Sequence, residues 1–420
     1  MPLKNFLQRF SRRTSRPELE PVAAPDWRDR WSNYPSLRLT PGDLAAIFQE
    51  ADGGDLYRQA ELFEEMEEKD AHLAGILQTR KMAILALDYE VQPYSEDPDD
   101  QAIAGFVEAA ICRLDDFEGA LLDLLDAIGK GVSLCEIHWE IAAGKALVAG
   151  LTWIHPKKIS FVESLEPRLR TGTSWQGEPL PPWKALYHCY KARSGYDNRA
   201  GMLRVVAGMY FYKLYALKYW GVFNEVFGMP LRLGRIEPTA PKADREFLFN
   251  ALRSLGTDGA GVISKNMEIQ FVEASSRLSG QANPYLVMAD FCNREMSKAV
   301  LGQTLTTDTS GGTGTYSTAK VHEAVRRDLV EADAEALSRT LRHQLIKPLV
   351  GFNFGWDKPL PYFRFRRKEQ QDLKVLSEVY VNLRKLGYPL TLEHLSERFG
   401  VPLPVGDQRF LGHGEQTDNT

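Results

Sequence analysis

The most chemically suggestive stretch runs from Gln303 to Thr318, QTLTTDTSGGTGTYST, almost wholly Gly, Thr and Ser with one acid, Asp308. Backbone amides and hydroxyls in such a run could cradle phosphate. A Walker loop, however, requires Lys followed by Ser or Thr at the helix start, and here Gly311, Gly312 and Gly314 lead into Tyr316-Ser317-Thr318-Ala319-Lys320-Val321. The dinucleotide fingerprint fails too, because Ser317 stands where its third Gly belongs. Two readings stay open, a functional loop and a surface linker. His322-Glu323 opens a zincin-like pattern, but Arg326 occupies the position of the second ligand. His138, His155 and His188 fall on or near expected strands and could gather with Glu136 or Glu140 around a metal. Beside Trp139 and Trp153 they read more readily as core or edge residues. The acidic pairs Glu64/Glu65 and Glu67/Glu68 read as a solvated helix face, and no Gly-x-Ser-x-Gly elbow occurs. No catalytic, cofactor-binding or metal-ligating residue is therefore expected, and the chain is not expected to be an enzyme.

Helices flank the Gly/Thr run. Before it, Leu286, Met288, Phe291, Met296 and Val300 recur at helical spacing until Gly302 breaks the pattern. After it, Val321, Val325, Leu329, Ala332, Ala336, Leu337, Leu341, Leu345 and Leu349 form one apolar stripe, uninterrupted by Gly or Pro until Pro348. About 30 residues at ~1.5 Å each predict a helix of roughly 45 Å. Upstream, Thr40-Pro41 starts a helix that Gly53-Gly54 ends. Leu56–Ala86 reads as one helix, and Gln101–Ile128 as one or two. Tyr89–Val91 is a short strand, Val132–Ile141 and Lys145–Ile154 a hairpin, and Lys158–Val162 and Ala185–Tyr190 further strands, with Glu166–Pro182 a loop between them. Gly201–Phe227 is a second long helix whose aromatics (Tyr210, Phe211, Tyr212, Tyr215, Tyr219, Trp220, Phe223, Phe227) could stack bases. Because they fall on nearly every side, core or subunit interface fits them better. Strands are expected at 229–236, 260–264, 267–273 and 362–365, and helices at 242–255, 371–386 and 392–399. The last two only loosely resemble a helix-turn-helix.

A chain of 420 residues implies two or three domains. Hydrophobic content of 44% and charged content of 25% are those of a folded chain. A net charge of −5 argues against a protein that grips nucleic acid over its whole surface but permits one that lets it pass. The cysteines, Cys112, Cys135, Cys189 and Cys292, form no CxxC pair, so neither a zinc ribbon nor a disulfide framework is expected. No apolar run approaches the ~18 residues of a membrane span. Residues 1–16 carry Lys4, Arg9, Arg12, Arg13 and Arg16 and no acid, either a mobile basic arm that touches DNA or an acidic partner, or a plain disordered terminus.

The segments EKDAHLAGILQTRKMAILALDYEV at 68–91, YKLYALKYWGVFNEVFGMPLRLGRI at 212–236, and ISKNMEIQFVEASS through LGQTLTTDTSGGTGTYSTAKVHEAV within 263–334, with LIKPLVGFNFG at 345–355 and LGYPLTLEHLSERFGVPLP near the end, carry a resemblance. The chain resembles the portal protein family of Mu-like tailed phages and prophages from about residue 40 to 412, most specifically from LGQTLT to VHEAV. The resemblance implies an α+β, mostly helical portal fold of wing, helical stem, clip and crown. It implies a ring, usually of twelve subunits, at one vertex of a phage head, through which a terminase packages double-stranded DNA and from which DNA leaves into the tail. Its partners would be itself, the terminase large subunit, major capsid and scaffold proteins and a head-tail connector, without membrane or cofactor. Its place would be the virion, after assembly in the host cytoplasm. The expected division is a basic, Pro-rich arm at 1–40, a wing-like domain at 41–200, a stem helix and clip-like segment at 201–282, helix, tunnel loop and long helix at 283–355, and a wing- or crown-like helical module at 356–420. Thr304, Thr306, Thr307, Asp308, Thr309, Ser310, Gly311, Gly312, Thr313, Gly314, Thr315, Tyr316 and Lys320 would line the channel. Lys320 and Arg326 would either form a weak positive girdle or pair with Glu323, Asp328 or Asp333 on an exposed helix face. The competing readings are a nucleic-acid enzyme built around His138, His155 and His188, and a head adaptor or scaffold without a channel.

Overall fold

The computed structural model describes residues 16–22, 32–162, 166–171, 174–191, 193–227, 231–254, 267–272, 283–304, 316–366, 373–389 and 391–401. These fall into two compact units divided after Arg366. The first unit opens with α1 (Pro41–Asp52), α2 (Tyr57–Lys69) and α3 (Ala71–Leu85), followed by β1 (Asp88–Gln92) and the helices α4 (Pro98–Cys112), α5 (Phe117–Leu125) and α6 (Ala127–Lys130). Thr40 and Asp43 form a reciprocal capping box at the start of α1, with Pro41 in the first turn as its missing N–H permits. The helix expected to run unbroken through Leu56–Ala86 is two helices. Asp70 leaves the helical region (φ −103°, ψ 96°) and its carboxylate accepts from His72 N and Leu73 N, capping α3.

Strands β2 (Val132–Ala142) and β3 (Lys145–Ile154) form the expected hairpin. Ala143 and Gly144 both take positive φ in its two-residue turn, the geometry that matches the twist of the strands. Then come β4 (Ile159–Phe161), β5 (Pro167–Thr171), β6 (Ser174–Pro179) and β7 (Ala185–Cys189). Two antiparallel sheets result, in the orders β3-β2-β7 and β4-β5-β6. The region expected to be loop, Glu166–Pro182, is thus largely a hairpin. Of its two glycines, Gly177 (φ +83°) sits where an added Cβ would lie 2.7 Å from Ser160 Oγ, so it permits close strand approach.

The rest of this unit comprises α7 (Met202–Phe227), β8 (Leu231–Ile236), α8 (Lys242–Ser254), β9 (Met267–Val272), α9 (Pro284–Leu301), α10 (Tyr316–Leu341), α11 (Lys347–Phe354) and β10 (Tyr362–Arg366). β8 pairs with β9 and β1 with β10. The strand expected at 260–264 lies outside the described residues. A main core gathers the inner faces of α2–α5, β2, α7, α9 and α10, including Phe63, Leu77, Ile137, Leu203, Met296, Leu337 and Leu341.

The long helix does not stop at Pro348. A π turn at Arg342–Ile346 joins α10 to α11. Pro348 would clash with the carbonyl four residues back, that of Gln344, and the π turn lies over that position. The same stretch bolts the helix to both edges of sheet β3-β2-β7. Gln344 receives Tyr187 N at 2.6 Å and donates to Tyr187 O at 2.8 Å on β7. Asn353 receives Ala146 N at 2.9 Å and donates to Ala146 O at 2.8 Å on β3. The expected apolar stripe is buried at Leu337, Leu341, Leu345 and Leu349, but Val325 and Ala332 are exposed, so the first half of α10 leaves the core.

In the second unit α12 (Leu373–Lys385) and α13 (Leu392–Phe399) are packed together, with Tyr380 Oη and His394 Nε2 hydrogen-bonded at 2.8 Å.

Candidate functional site

The Gly/Thr loop is known here by its roots. Residues 305–315, with Thr306 through Thr315 of the expected channel set, lie outside the described residues; Tyr316 and Lys320 fall in the first turns of α10. On the other side, α9 ends at Gly302 in the left-handed conformation (φ 68°, ψ 5°), its N–H closing on Lys298 O at 3.0 Å. A Cβ at Gly302 would lie 2.9 Å from Val325 Cγ1 and 3.4 Å from Leu329 Cδ1, so the end of α9 is pressed onto α10. Gln303 is buried beside this contact.

Arg80 of α3 joins the end of α9 to the middle of α10, seventeen residues beyond Tyr316. Its Nε donates to Asp333 Oδ2 at 2.7 Å and Nη2 to Asp333 Oδ1 at 3.0 Å, while Nη1 donates to Val300 O at 2.7 Å. Burial alone would lower the Arg80 pKa, but the Asp333 carboxylate outweighs that and holds it above its ordinary value. Asp333 is therefore no surface partner for Lys320 or Arg326. Among the described residues of the exposed flank Arg327 pairs with Glu331 at 3.7 Å, and the Lys320 and Glu323 side chains fall outside the description.

Helix α9 is tied to α3 and α7. His72 Nε2 lies 2.9 Å from Asn293 O and 2.8 Å from Ser297 Oγ, and Lys213 of α7 pairs with Asp70 at 2.6 Å. Phe223 near the end of α7 meets Tyr285 at the start of α9, so the two helices pack antiparallel. Their inner faces are buried through Leu203, Val206, Ala207, Tyr210, Met296 and Val300. Outward, α7 presents Val205, Tyr212 and Tyr219 at seven-residue steps, 58%, 52% and 52% exposed, with Val222 following. Leu286, Val287 and Phe291 of α9 are exposed as well.

The acidic run of α2 is not solvated as expected; of its two pairs only Glu68 is exposed. Glu61 accepts both carboxylate bonds from Asn33 at 3.0 Å and faces Lys157 at 3.4 Å, and Glu65 binds Ser36 N and Lys69. Glu64 pairs with His155 at 2.8 Å, while Lys81 and Lys130 bracket Asp126 at 2.7 Å each and approach Glu67. Burial opposes the charge on Asp126, but the two ammonium groups hold its pKa down at about 2. The counter-charges come from α3, α6 and the segment after β3, which is why the run looks like a surface when α2 is read alone.

The three strand histidines do not converge. His138 bonds Thr152 Oγ1 at 2.8 Å, His155 uses Nδ1 to accept Lys157 N at 3.1 Å, and buried His188 bonds Thr340 Oγ1 at 2.8 Å, with burial lowering its pKa to about 4. His188 lies opposite Ser133, five residues along β2 from His138 and so about 17 Å away. Glu136 accepts from Val22 N and faces Lys184, and Glu140 pairs with Arg113. Among the described residues no group of three or more His, Cys, Asp or Glu could hold a metal ion.

Residues 60–401 match the family described as portal protein of Mu bacteriophage. The chain is 31% identical over 385 residues to the portal protein of Escherichia phage Mu, covering 90% of this chain and 74% of that protein. It is 30% identical over 394 residues to the Mu-like prophage FluMu protein gp29 of Haemophilus influenzae, covering 92% of this chain and 75% of that one. Among solved structures it is similar in fold to a chain in the neck of an empty gene transfer agent particle, with a TM-score of 0.54 at 12% identity, covering 86% of this chain and 94% of that one. The mostly helical α+β architecture is that of a portal, and the chain belongs to the family of the portal protein of Mu bacteriophage, with portal function as the property of that family.

Proposed function

We propose that copies of this chain close head-to-tail into a ring of about twelve around a DNA channel at one vertex of a phage head, the closed cyclic arrangement by which heterologous contacts avoid open filaments. The observation that carries the ring is the apolar seam of α7, with the neighbouring patch of α9, left in water by a single chain. Within the ring we assign 41–200 to the wing, 201–282 to stem and clip, 283–355 to the tunnel loop and its helices, and 356–420 to a wing or crown module. Strand β10 is shared with the wing through its pairing to β1. The loop from Thr304 to Ser317 faces the DNA. Its hydroxyls offer weak, sequence-blind contacts to phosphate oxygens. A net charge of −5 fits a conduit, since a strongly basic lining would bind DNA by counterion release and stall it. Its partners in the virion are a terminase large subunit, capsid and scaffold proteins and a head-tail connector, met after assembly in the host cytoplasm. The family is structural, and we expect no catalytic activity, so a hydrolytic or metal-dependent activity copurifying with the ring and lost on substituting His138, His155 and His188 would contradict that part.

Light scattering tests the ring. The 47.4 kDa chain should assemble to several hundred kilodaltons, and a stable monomer at every concentration would sink the reading. Deleting Asp308–Thr315 should leave the ring intact and impair packaging or retention of DNA, whereas Thr306→Ala with Thr307→Ala should change little. Loss of the ring on deletion would make the loop an interface element instead.

A further inference from the structure

One face of sheet β4-β5-β6 carries guanidinium donors that meet no acceptor among the described residues. Alternation along β5 turns Leu169 into the core and Arg168 and Arg170 to the opposite side. The Arg170 side chain is only 10% exposed and pairs through Nη2 with Asp55 Oδ1 at 2.8 Å, while its Nε and Nη1 are buried and unmet. Arg168 donates from Nη1 to Gly177 O at 3.3 Å, and its Nε is likewise buried without an acceptor. Buried donors left unmet are rare in folded proteins, and each calls for an acceptor.

An indole lies across this pair. Trp175 of β6 is 70% exposed, and its ring sits 4.6 Å from Arg170 Cζ. One side of the ring rests on the guanidinium and most of the rest is left to solvent, so little burial opposes its moving aside. Beside it Gly177 keeps β6 bare, since a Cβ there would lie 2.9 Å from Arg168 Cβ. Set against Asp55, the two arginines leave one positive charge in excess. That excess matches a single carboxylate, which guanidinium groups bind through paired hydrogen bonds. A nucleic-acid backbone is charged along its whole length and is held by runs of cations instead.

We propose that Trp175, Arg168 and Arg170 form a docking site for an acidic segment of a second protein. The indole leaves Arg170 for an apolar side chain of that segment, and an Asp or Glu beside that side chain accepts the donors so uncovered. Tryptophan and arginine are the side chains that most often anchor protein contacts, and here they are held in place before the partner arrives.

The test uses Trp175→p-benzoylphenylalanine, which keeps an aromatic ring at the site and crosslinks under ultraviolet light to what touches it. In assembled particles, adducts mapped by mass spectrometry should fall on another protein, with an Asp or Glu within a few residues of the linked side chain. Adding Arg168→Gln and Arg170→Gln should cut the adduct yield about tenfold through loss of the charged hydrogen bonds, with the mass of the assembly in solution unchanged. If that variant does not assemble, Arg168→Gln alone, which spares the Arg170–Asp55 pair, should lower the yield in the same direction. Adducts on another copy of this chain would make the hairpin a subunit contact, and adducts on DNA would make it a phosphate site; either overturns the proposal. So does an absence of adducts, a yield that the arginine substitutions leave unchanged, or failure of Trp175→p-benzoylphenylalanine itself to assemble.

Discussion

Asp123 stands at the edge of the buried charge cluster with the wrong neighbours. Burial, then the charges of Asp126 and Asp116, push its pKa up to about 6. Because the folded value is raised, the folded state holds this proton more tightly than the unfolded chain does. The resulting stabilisation is complete below about pH 4 and is lost as pH rises through about 6. Asp123→Asn should therefore stabilise the protein near neutral pH by about 1 kcal/mol, after discounting for partial solvent contact, or roughly 2 °C in unfolding temperature. Near pH 4 the variant should gain nothing, and thermal unfolding at the two pH values checks both halves. At this scale the sequence is least legible. The Glu run of α2 and the Arg80–Asp333 pair are separated from their partners by up to 253 residues, and no local pattern records a charge met that far along the chain.

Periodicity served better for the elements. The helix ending at Gly302 and the β2–β3 hairpin emerged from the spacing of their apolar residues, and the long aromatic helix from its dense apolar run. The misses share a cause. A single residue that can serve two roles was read in one of them: Asp70 as another helical acid rather than a cap, and Gly177 as a loop residue rather than a site of close strand approach. Gly302 was read correctly as an end, but its second constraint is steric. Gly302→Ala would hold alanine at φ 68° and push its Cβ against Val325 Cγ1. It should cost about 1–2 kcal/mol, and Val325→Ala added to it should recover the steric part while leaving the backbone part. Denaturant unfolding of the single and double variants measures the two shares.

At the scale of the whole molecule, the proposed ring depends on the exposed seam of α7. Tyr219→Asp places a charge on a face that is half-exposed in one chain, so the chain should fold with unaltered helical content. In the proposed ring the same charge would be buried against a neighbour, and the mass in solution should drop toward that of the subunit. A variant that still forms rings would place the subunit contact elsewhere. The resemblance in the LGQTLT–VHEAV segment gave the family, whereas spacing alone left the loop open between linker and function, since Gly, Thr and Ser fit both.

The carboxamides of Gln344 and Asn353 have a meaning for crowding. A three-stranded sheet has two open borders, each a row of amides and carbonyls ready to recruit a strand from another molecule. Here one helix reaches over both borders and occupies each at one residue, Tyr187 midway along β7 and Ala146 near the start of β3. Subunits gathered at high local concentration around a single vertex would otherwise face a competition between orderly closure and indiscriminate strand exchange. In the proposed ring, a border residue already paired within the chain would be one position fewer for strand exchange, and the sheet would act there as an internal brace instead of an adhesive one.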